Sequence, residues 1–233
     1  MRQNNTNERA RLNWLEATLK RIPAGSKLLD AGAGELDQKV FCDHLIYVSQ
    51  DFGEYDGKGD SKGLQTKSWD TSKIDIVSDI ANIPVEDSSF DAVLCVEVFE
   101  HIPHPIDAIK EFARVIRPGG YLVLTAPFAS MTHFAPFHFY SGFNRYFYEK
   151  YLVDNGFEIL EISHNGNYFD YLLQELNRIG LNASRYSNSR LRIYERVIIK
   201  ILNNTLIRLS SRNSSSEDLL TLGYHVFARK TSK

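Results

Sequence analysis

A chain of 233 residues that is 43% hydrophobic and 24% charged is long enough to bury one sizeable core and short for two, so a single domain with embellishments is expected. The formal net charge of −2 excludes the strongly basic nucleic-acid-binding classes, and any polyanion would need a local patch. Cys42 and Cys95 lack metal-ligand spacing, and Cys95 sits in the apolar run Val93-Leu94-Cys95-Val96, so both fit a reducing cytoplasm.

The start, Met1-Arg2-Gln3-Asn4-Asn5-Thr6-Asn7, holds no apolar stretch of signal-peptide length. No window approaches the roughly 18 apolar residues of a membrane span. A soluble, at most peripheral, cytoplasmic protein is therefore expected. From about Glu8 to Lys20 the spacing of Leu12, Leu15 and Leu19 predicts a helix, with Trp14 beside the stripe. Pro23, Gly25 and Ser26 punctuate the entry to a first strand, Lys27-Leu28-Leu29-Asp30-Ala31, which breaks into the turn Gly32-Ala33-Gly34-Glu35. Glycine lets a turn backbone take unusual dihedrals and lets a ligand approach. The dinucleotide fingerprint G-x-G-x-x-G is absent, and Glu35 and Asp37 would repel a pyrophosphate but suit an ammonium or sulfonium. Asp30-x-Gly32-x-Gly34 resembles the first motif of class I S-adenosylmethionine-dependent methyltransferases, with Leu36 where that family often has a third glycine. The resemblance implies that Asp30 lies near the amino-acid moiety of the cofactor.

Asp37 to Asp43 is expected in a second helix, and Leu45 to Val48 in a second strand ending in Ser49-Gln50-Asp51. An acid at that strand end, about 20 residues after the glycine turn, is placed to accept hydrogen bonds from ribose hydroxyls. The polar, glycine-rich stretch from Phe52 to about Lys73 is too long for a plain connection and is either a functional loop or partly disordered. A third strand is expected at Ile74–Asp79 and a fourth at Ala92–Val96. Pro105 opens a helix ended by Pro118-Gly119-Gly120, and Tyr121–Thr125 is a fifth strand. Pro127 to Tyr140, rich in aromatics, His and Pro, should lie over the rim of the sheet as a pocket wall or a packed loop. A helix over Asn144–Asn155, strands at Phe157–Ile162 and Gly223–Arg229, and a mostly helical insertion at about 163–222 complete the chain.

Ser78-Asp79-Ile80-Ala81-Asn82-Ile83-Pro84, Ser89-Phe90-Asp91, Glu97-Val98-Phe99-Glu100-His101-Ile102 and Arg117-Pro118-Gly119-Gly120-Tyr121-Leu122 follow one another in order. This run is similar to the motifs of the large class I family that includes ubiquinone-type small-molecule methyltransferases, and covers about Lys27 to Thr125. The resemblance implies an α/β fold: a doubly wound, seven-stranded, mostly parallel sheet with an antiparallel last strand, in one domain over 1–233 with the helical insertion. It implies S-adenosylmethionine as cofactor. Asp30, Gly32, Gly34, Asp51 and Glu97 would then bind it, with Asp79 at the adenine amine and Ile80 offering a backbone group to the ring. The residues agree, since Asp30, Asp51 and Asp79 each end a successive short strand, and in a doubly wound sheet those ends share one rim. Any single one could instead cap the helix that follows.

Methyl transfer needs alignment and, for a hydroxyl acceptor, removal of a proton. His101, His133 and His138 are the candidate bases, with His104 behind them, because a neutral imidazole is available at cytoplasmic pH. No His, Asp or Glu cluster shows metal spacing, so no metal is expected. The Asn/Asp-Pro-Pro-aromatic motif of nucleic-acid amino-methyltransferases is missing, and Glu97-Val98-Phe99-Glu100 stands there. O-methylation of a small metabolite, sugar or glycan leads, ahead of N- or protein methylation. The rivals are a non-catalytic S-adenosylmethionine-binding module and an NAD(P) oxidoreductase, to which Tyr146-x-x-x-Lys150 would belong. From Tyr194, Val197, Ile198, Ile201, Leu202, Leu206 and Leu209 recur at helical spacing, and between Arg178 and Arg212 eight basic residues face one acid, Glu195. Such a helix can cover its own domain as a lid, form a homodimer contact, or lie on an anionic membrane.

Overall fold

The computed structural model describes residues 6–232; the polar start at 1–5, on which the leader expectation rests, lies outside the described residues, as does Lys233. The elements are α1 (Thr6–Leu19), β1 (Lys27–Ala31), β2 (Ile46–Asp51), β3 (Ile76–Val77), β4 (Phe90–Val96), α2 (Pro105–Val115), β5 (Ile116–Pro127), α3 (Arg145–Asp154), β6 (Phe157–Asn165), α4 (Tyr168–Tyr186), α5 (Ile193–Ser210) and β7 (Gly223–Lys230). They fall into two compact units, one running to Ser163 and resuming at Gly223, the other His164–Leu222.

In the first unit the sheet runs β3-β2-β1-β4-β5-β7-β6. β1 pairs in parallel with β2 and β4, β2 with β3, and β4 with β5, while β7 lies antiparallel to β5. This is the expected doubly wound sheet. Its strand order reverses between β1 and β4, and ligands of such sheets bind in the crevice at the carboxyl ends of the strands beside that switch. Side chains of successive strand residues point to opposite faces, so Leu28 and Leu29 enter different cores. Leu29, Val93, Leu122 and Leu124 pack with Ile109, Phe112 and Val115 of α2 and Leu152 of α3. On the other face Leu28, Leu94 and Val123 pack with Leu15 and Leu19 of α1, so the stripe expected from sequence is the buried one.

Three expectations are corrected. Asp37 to Asp43 forms only a 3₁₀ turn, Asp37–Phe41, with no buried residue, and Leu36 before it is left-handed at φ 66°. Only Phe41 at its end packs against the core, with Val40 68% exposed, so little holds a longer helix. The third strand is two residues long, because the Asp75 carboxylate takes the Ser49 amide at 2.9 Å and its hydroxyl at 2.7 Å where a ladder bond would form. Pro118-Gly119-Gly120 does not end the helix, which stops at Val115; these residues lie within β5, where the register with β4 shifts between Phe90 and Ala92.

In the second unit α4 and α5 are pinned by polar bonds. Ser210 donates to Asp170 at 2.7 Å, Asn167 to Ser210 at 3.0 Å and Asn203 to Asn177 at 2.7 Å, while Asn167 caps α4. The apolar stripe of α5 stays largely open, with Val197 and Ile198 52% and Ile201 60% exposed. No described helix is long and apolar enough to cross a membrane.

Candidate functional site

The glycine turn leaves β1 with Gly32 and Gly34 both at positive φ, 79° and 52°. A Cβ on Gly32 would lie 2.5 Å from a methyl of Val98, and one on Gly34 would lie 2.6 Å from the Trp69 ring. The protein's own packing therefore requires both glycines. The turn is held by Gln50, whose carbonyl accepts from the amides of Gly32 and Ala33 at 2.8 and 2.9 Å.

Asp51 ends β2 and is buried. Its two carboxylate oxygens accept from the amides of Gly34 at 3.0 Å and Gly53 at 2.9 Å. Each oxygen keeps a second lone pair, so the carboxylate is both fixed and able to accept more. Asp79 is exposed and accepts from the Ala81 amide at 2.8 Å, while Ile80 behind it is buried. Glu97, just past β4, is left-handed at φ 55°. Its carboxylate takes the Thr125 hydroxyl at 2.9 Å and the Arg11 guanidinium at 3.0 Å. Arg11 is a rim residue that sequence reasoning missed, since nothing in the pattern of α1 distinguishes it from a solvated arginine.

Asp30 lies near the end of β1. It is 1% exposed and takes the Tyr47 hydroxyl at 2.6 Å. Burial pushes its carboxyl up to about 7, against the pull of that bond. Below the ordinary carboxylate pKa the group is neutral in both folded and unfolded chains. As pH rises from there to about 7 the folded form keeps a proton that the unfolded chain has lost, so stability falls, by roughly 4 kcal/mol at about 1.4 kcal/mol per unit. Asp30→Asn should remove that slope: urea titrations at pH 5 and pH 8 should show the variant gaining on the wild type as pH rises. Parallel profiles would rule out the buried, raised carboxyl.

The two long loops dock on each other. The Asp60 and Leu64 amides donate to the carbonyls of Ala135 and Thr132, and the Phe134 amide to the carbonyl of Leu64. Tyr55 stacks on Phe134 at 4.6 Å, Trp69 meets Phe134 edge-on at 5.2 Å, and Phe134 stacks on His101 at 5.0 Å. The stretch left open between function and disorder is thus a packed loop that shares its aromatic cluster with the segment after β5. Sequence alone gave no signal of this pairing.

That cluster brings His101, His133 and His138 together, with ring centroids 4.5 to 5.9 Å apart. His101 Nδ1 lies 2.6 Å from the Phe137 carbonyl and His133 Nδ1 2.8 Å from that of Met131. Carbonyls only accept, so both Nδ1 atoms carry the proton and both Nε2 atoms keep a lone pair. Burial, reinforced by His133, pushes His101 down to about 3, and burial lowers His138 as well. His104 is exposed at the entry to α2 and stands apart from this group. Tyr146 is 71% exposed on α3 and Lys150 pairs with Asp154 at 2.7 Å, so neither joins the rim cluster.

Residues 58–124 match a family described as a methyltransferase domain. The chain is 38% identical over 120 residues to a ubiquinone biosynthesis O-methyltransferase of Xanthomonas oryzae pv. oryzae, covering 50% of this chain and 45% of that protein. It is 30% identical over 124 residues to a demethylmenaquinone methyltransferase of Geobacillus sp., covering 49% and 52%. The chain thus spans about half the length of the curated relatives it matches. Among solved structures, the phosphoethanolamine N-methyltransferase 2 of Haemonchus contortus in complex with S-adenosylmethionine superposes with a TM-score of 0.54 at 16% identity, over 95% of this chain and 53% of that one. At that identity the likeness speaks for the fold alone.

Proposed function

We propose that this chain, which belongs to the class I S-adenosylmethionine-dependent methyltransferases, transfers the methyl group of that cofactor to an oxygen of a small molecule. The observation that carries the reading is the Asp51 carboxylate, clamped by the amides of Gly34 and Gly53 with a free lone pair on each oxygen at the switch point of the sheet. A ribose offers two vicinal hydroxyl donors, and the clamped carboxylate offers two acceptors. Asp79 and the Ile80 backbone would hold the adenine. The amino-acid end of the cofactor carries an ammonium and a carboxylate, and Glu97 with Arg11 presents the complementary pair.

The acceptor would lie against the aromatic loops, with His138 taking its proton. The Ser130 hydroxyl donates to the Ser141 carbonyl at 3.0 Å, so His138 Nε2, 3.2 Å from that hydroxyl, is the protonated nitrogen and Nδ1 keeps the lone pair. A quinone precursor, another phenol, or a sugar or glycan hydroxyl all meet this description. Metabolite and glycan pools incubated with methyl-labelled S-adenosylmethionine would test it: label should pass to a hydroxyl-bearing small molecule with release of S-adenosylhomocysteine. Label found only on protein or on amines would overturn the oxygen acceptor.

The exposed stripe of α5, joined by Ile193 at 83% and Ile207 at 53%, together with the basic residues from Arg178 to Arg212, favours contact with an anionic membrane surface. Flotation with anionic liposomes should carry the protein at low salt and lose it at about 0.5 M, where the Debye length falls to a few ångströms. Absence of flotation at low salt, with dimers in sedimentation, would assign the stripe to a second copy of the chain.

A further inference from the structure

The geometry points to a divalent transition-metal site formed by Glu100, His101 and His133. The three residues come from two segments, the short 3₁₀ turn Phe99–His101 after β4 and the loop after β5. One ligand atom from each lies within 4.8 Å of the others. Glu100 Oε1 is 3.7 Å from His101 Nε2 and 3.9 Å from His133 Nε2. Tetrahedral ligands about 2.0–2.1 Å from zinc stand about 3.3 Å from one another, so an ion would draw Glu100 and each imidazole together by about half an ångström, the two imidazole nitrogens themselves lying within 4.8 Å.

Two further features belong to a site for a cation rather than to a packed core. Both imidazoles donate Nδ1–H to backbone carbonyls, of Phe137 and Met131, which fixes the tautomer that turns an Nε2 lone pair toward Glu100. Outer hydrogen bonds of this kind orient metal-ligating histidines. Glu100 itself is 1% exposed, and its Oε2 has no hydrogen-bond partner. A buried carboxylate oxygen without a hydrogen-bond partner is costly unless a cation or a proton is present. One carboxylate and two imidazoles suit zinc, iron, cobalt or manganese better than calcium or magnesium. Three protein ligands also leave at least one coordination position for an oxygen from water or substrate.

The expectation of no metal came from spacing along the chain, and spacing cannot show a ligand set completed by a distant loop. Equilibrium dialysis of the full chain, stripped with chelator, against Zn²⁺ and separately Co²⁺ tests the inference without any assay of activity. One equivalent per chain should bind, and bound Co²⁺ should show the visible d–d bands of a nitrogen and oxygen site. His133→Ala and Glu100→Gln should each lose that equivalent, and since Glu100 is buried, His133→Ala is the deciding variant, with its circular dichroism unchanged. Failure of the wild-type chain to retain an equivalent of either ion would overturn the site. So would equal retention by folded His133→Ala, because the ion would then sit elsewhere.

Discussion

Replacing His138 by glutamine is expected to slow methyl transfer by about 10²–10⁴, with the affinity for S-adenosylhomocysteine unchanged. Glutamine keeps the size and can still donate to Ser130, but has no basic nitrogen. Of the three clustered imidazoles His138 is the one whose remaining nitrogen is not turned toward Glu100, since His101 and His133 approach that carboxylate at 3.7 and 3.9 Å. Single-turnover rates with a saturating hydroxyl acceptor measure the step directly. A loss of less than about threefold would assign catalysis to alignment of the acceptor alone, a mechanism sufficient for methyl transfer when the acceptor already carries its lone pair.

Asp51→Ala should weaken binding of S-adenosylmethionine by about 1.5–3 kcal/mol, the range for a lost hydrogen bond to a charged group. Two effects act together. The ribose loses its acceptor, and the amides of Gly34 and Gly53 lose the carboxylate that now joins them. The core should survive, because Asp51 belongs to neither apolar cluster. Calorimetric titration of a variant that still unfolds cooperatively separates these outcomes: reduced affinity supports the ribose role, and unchanged affinity removes it.

What the sequence showed of this molecule was whatever depends on neighbours along the chain. The spacing of Leu12, Leu15 and Leu19 marked the buried face of α1, and the apolar runs around Leu29 and Val93 marked central strands. Asp51 was legible because a strand end and a glycine turn have a fixed separation in this kind of sheet. The docking of the two long loops was not legible, since it depends on Gly59 and Gly63 letting one backbone approach the carbonyls of Ala135 and Thr132 on the other. Nor was the placement of Trp69 on Gly34, nor Arg11 reaching Glu97 from a helix far away in sequence. The shortness of β3 was hidden too, because the competing partner of Ser49 is a side chain, Asp75, within the segment read as strand. Asp30 was read as a rim acid from its position at the end of β1, and its bond to the Tyr47 hydroxyl, 17 residues on, was not legible.

The central claim is that this rim recognises an amino acid joined to a nucleoside and not a pyrophosphate. Glu97 and the clamped Asp51 bring negative charge to the place where a dinucleotide would put its phosphates. Isothermal titration of the purified chain with S-adenosylhomocysteine and, in parallel, with NADH tests this most directly. The account predicts saturable one-to-one binding of S-adenosylhomocysteine that is weakened in Asp51→Ala, and no heat from NADH. Binding of NADH with no binding of S-adenosylhomocysteine would contradict it.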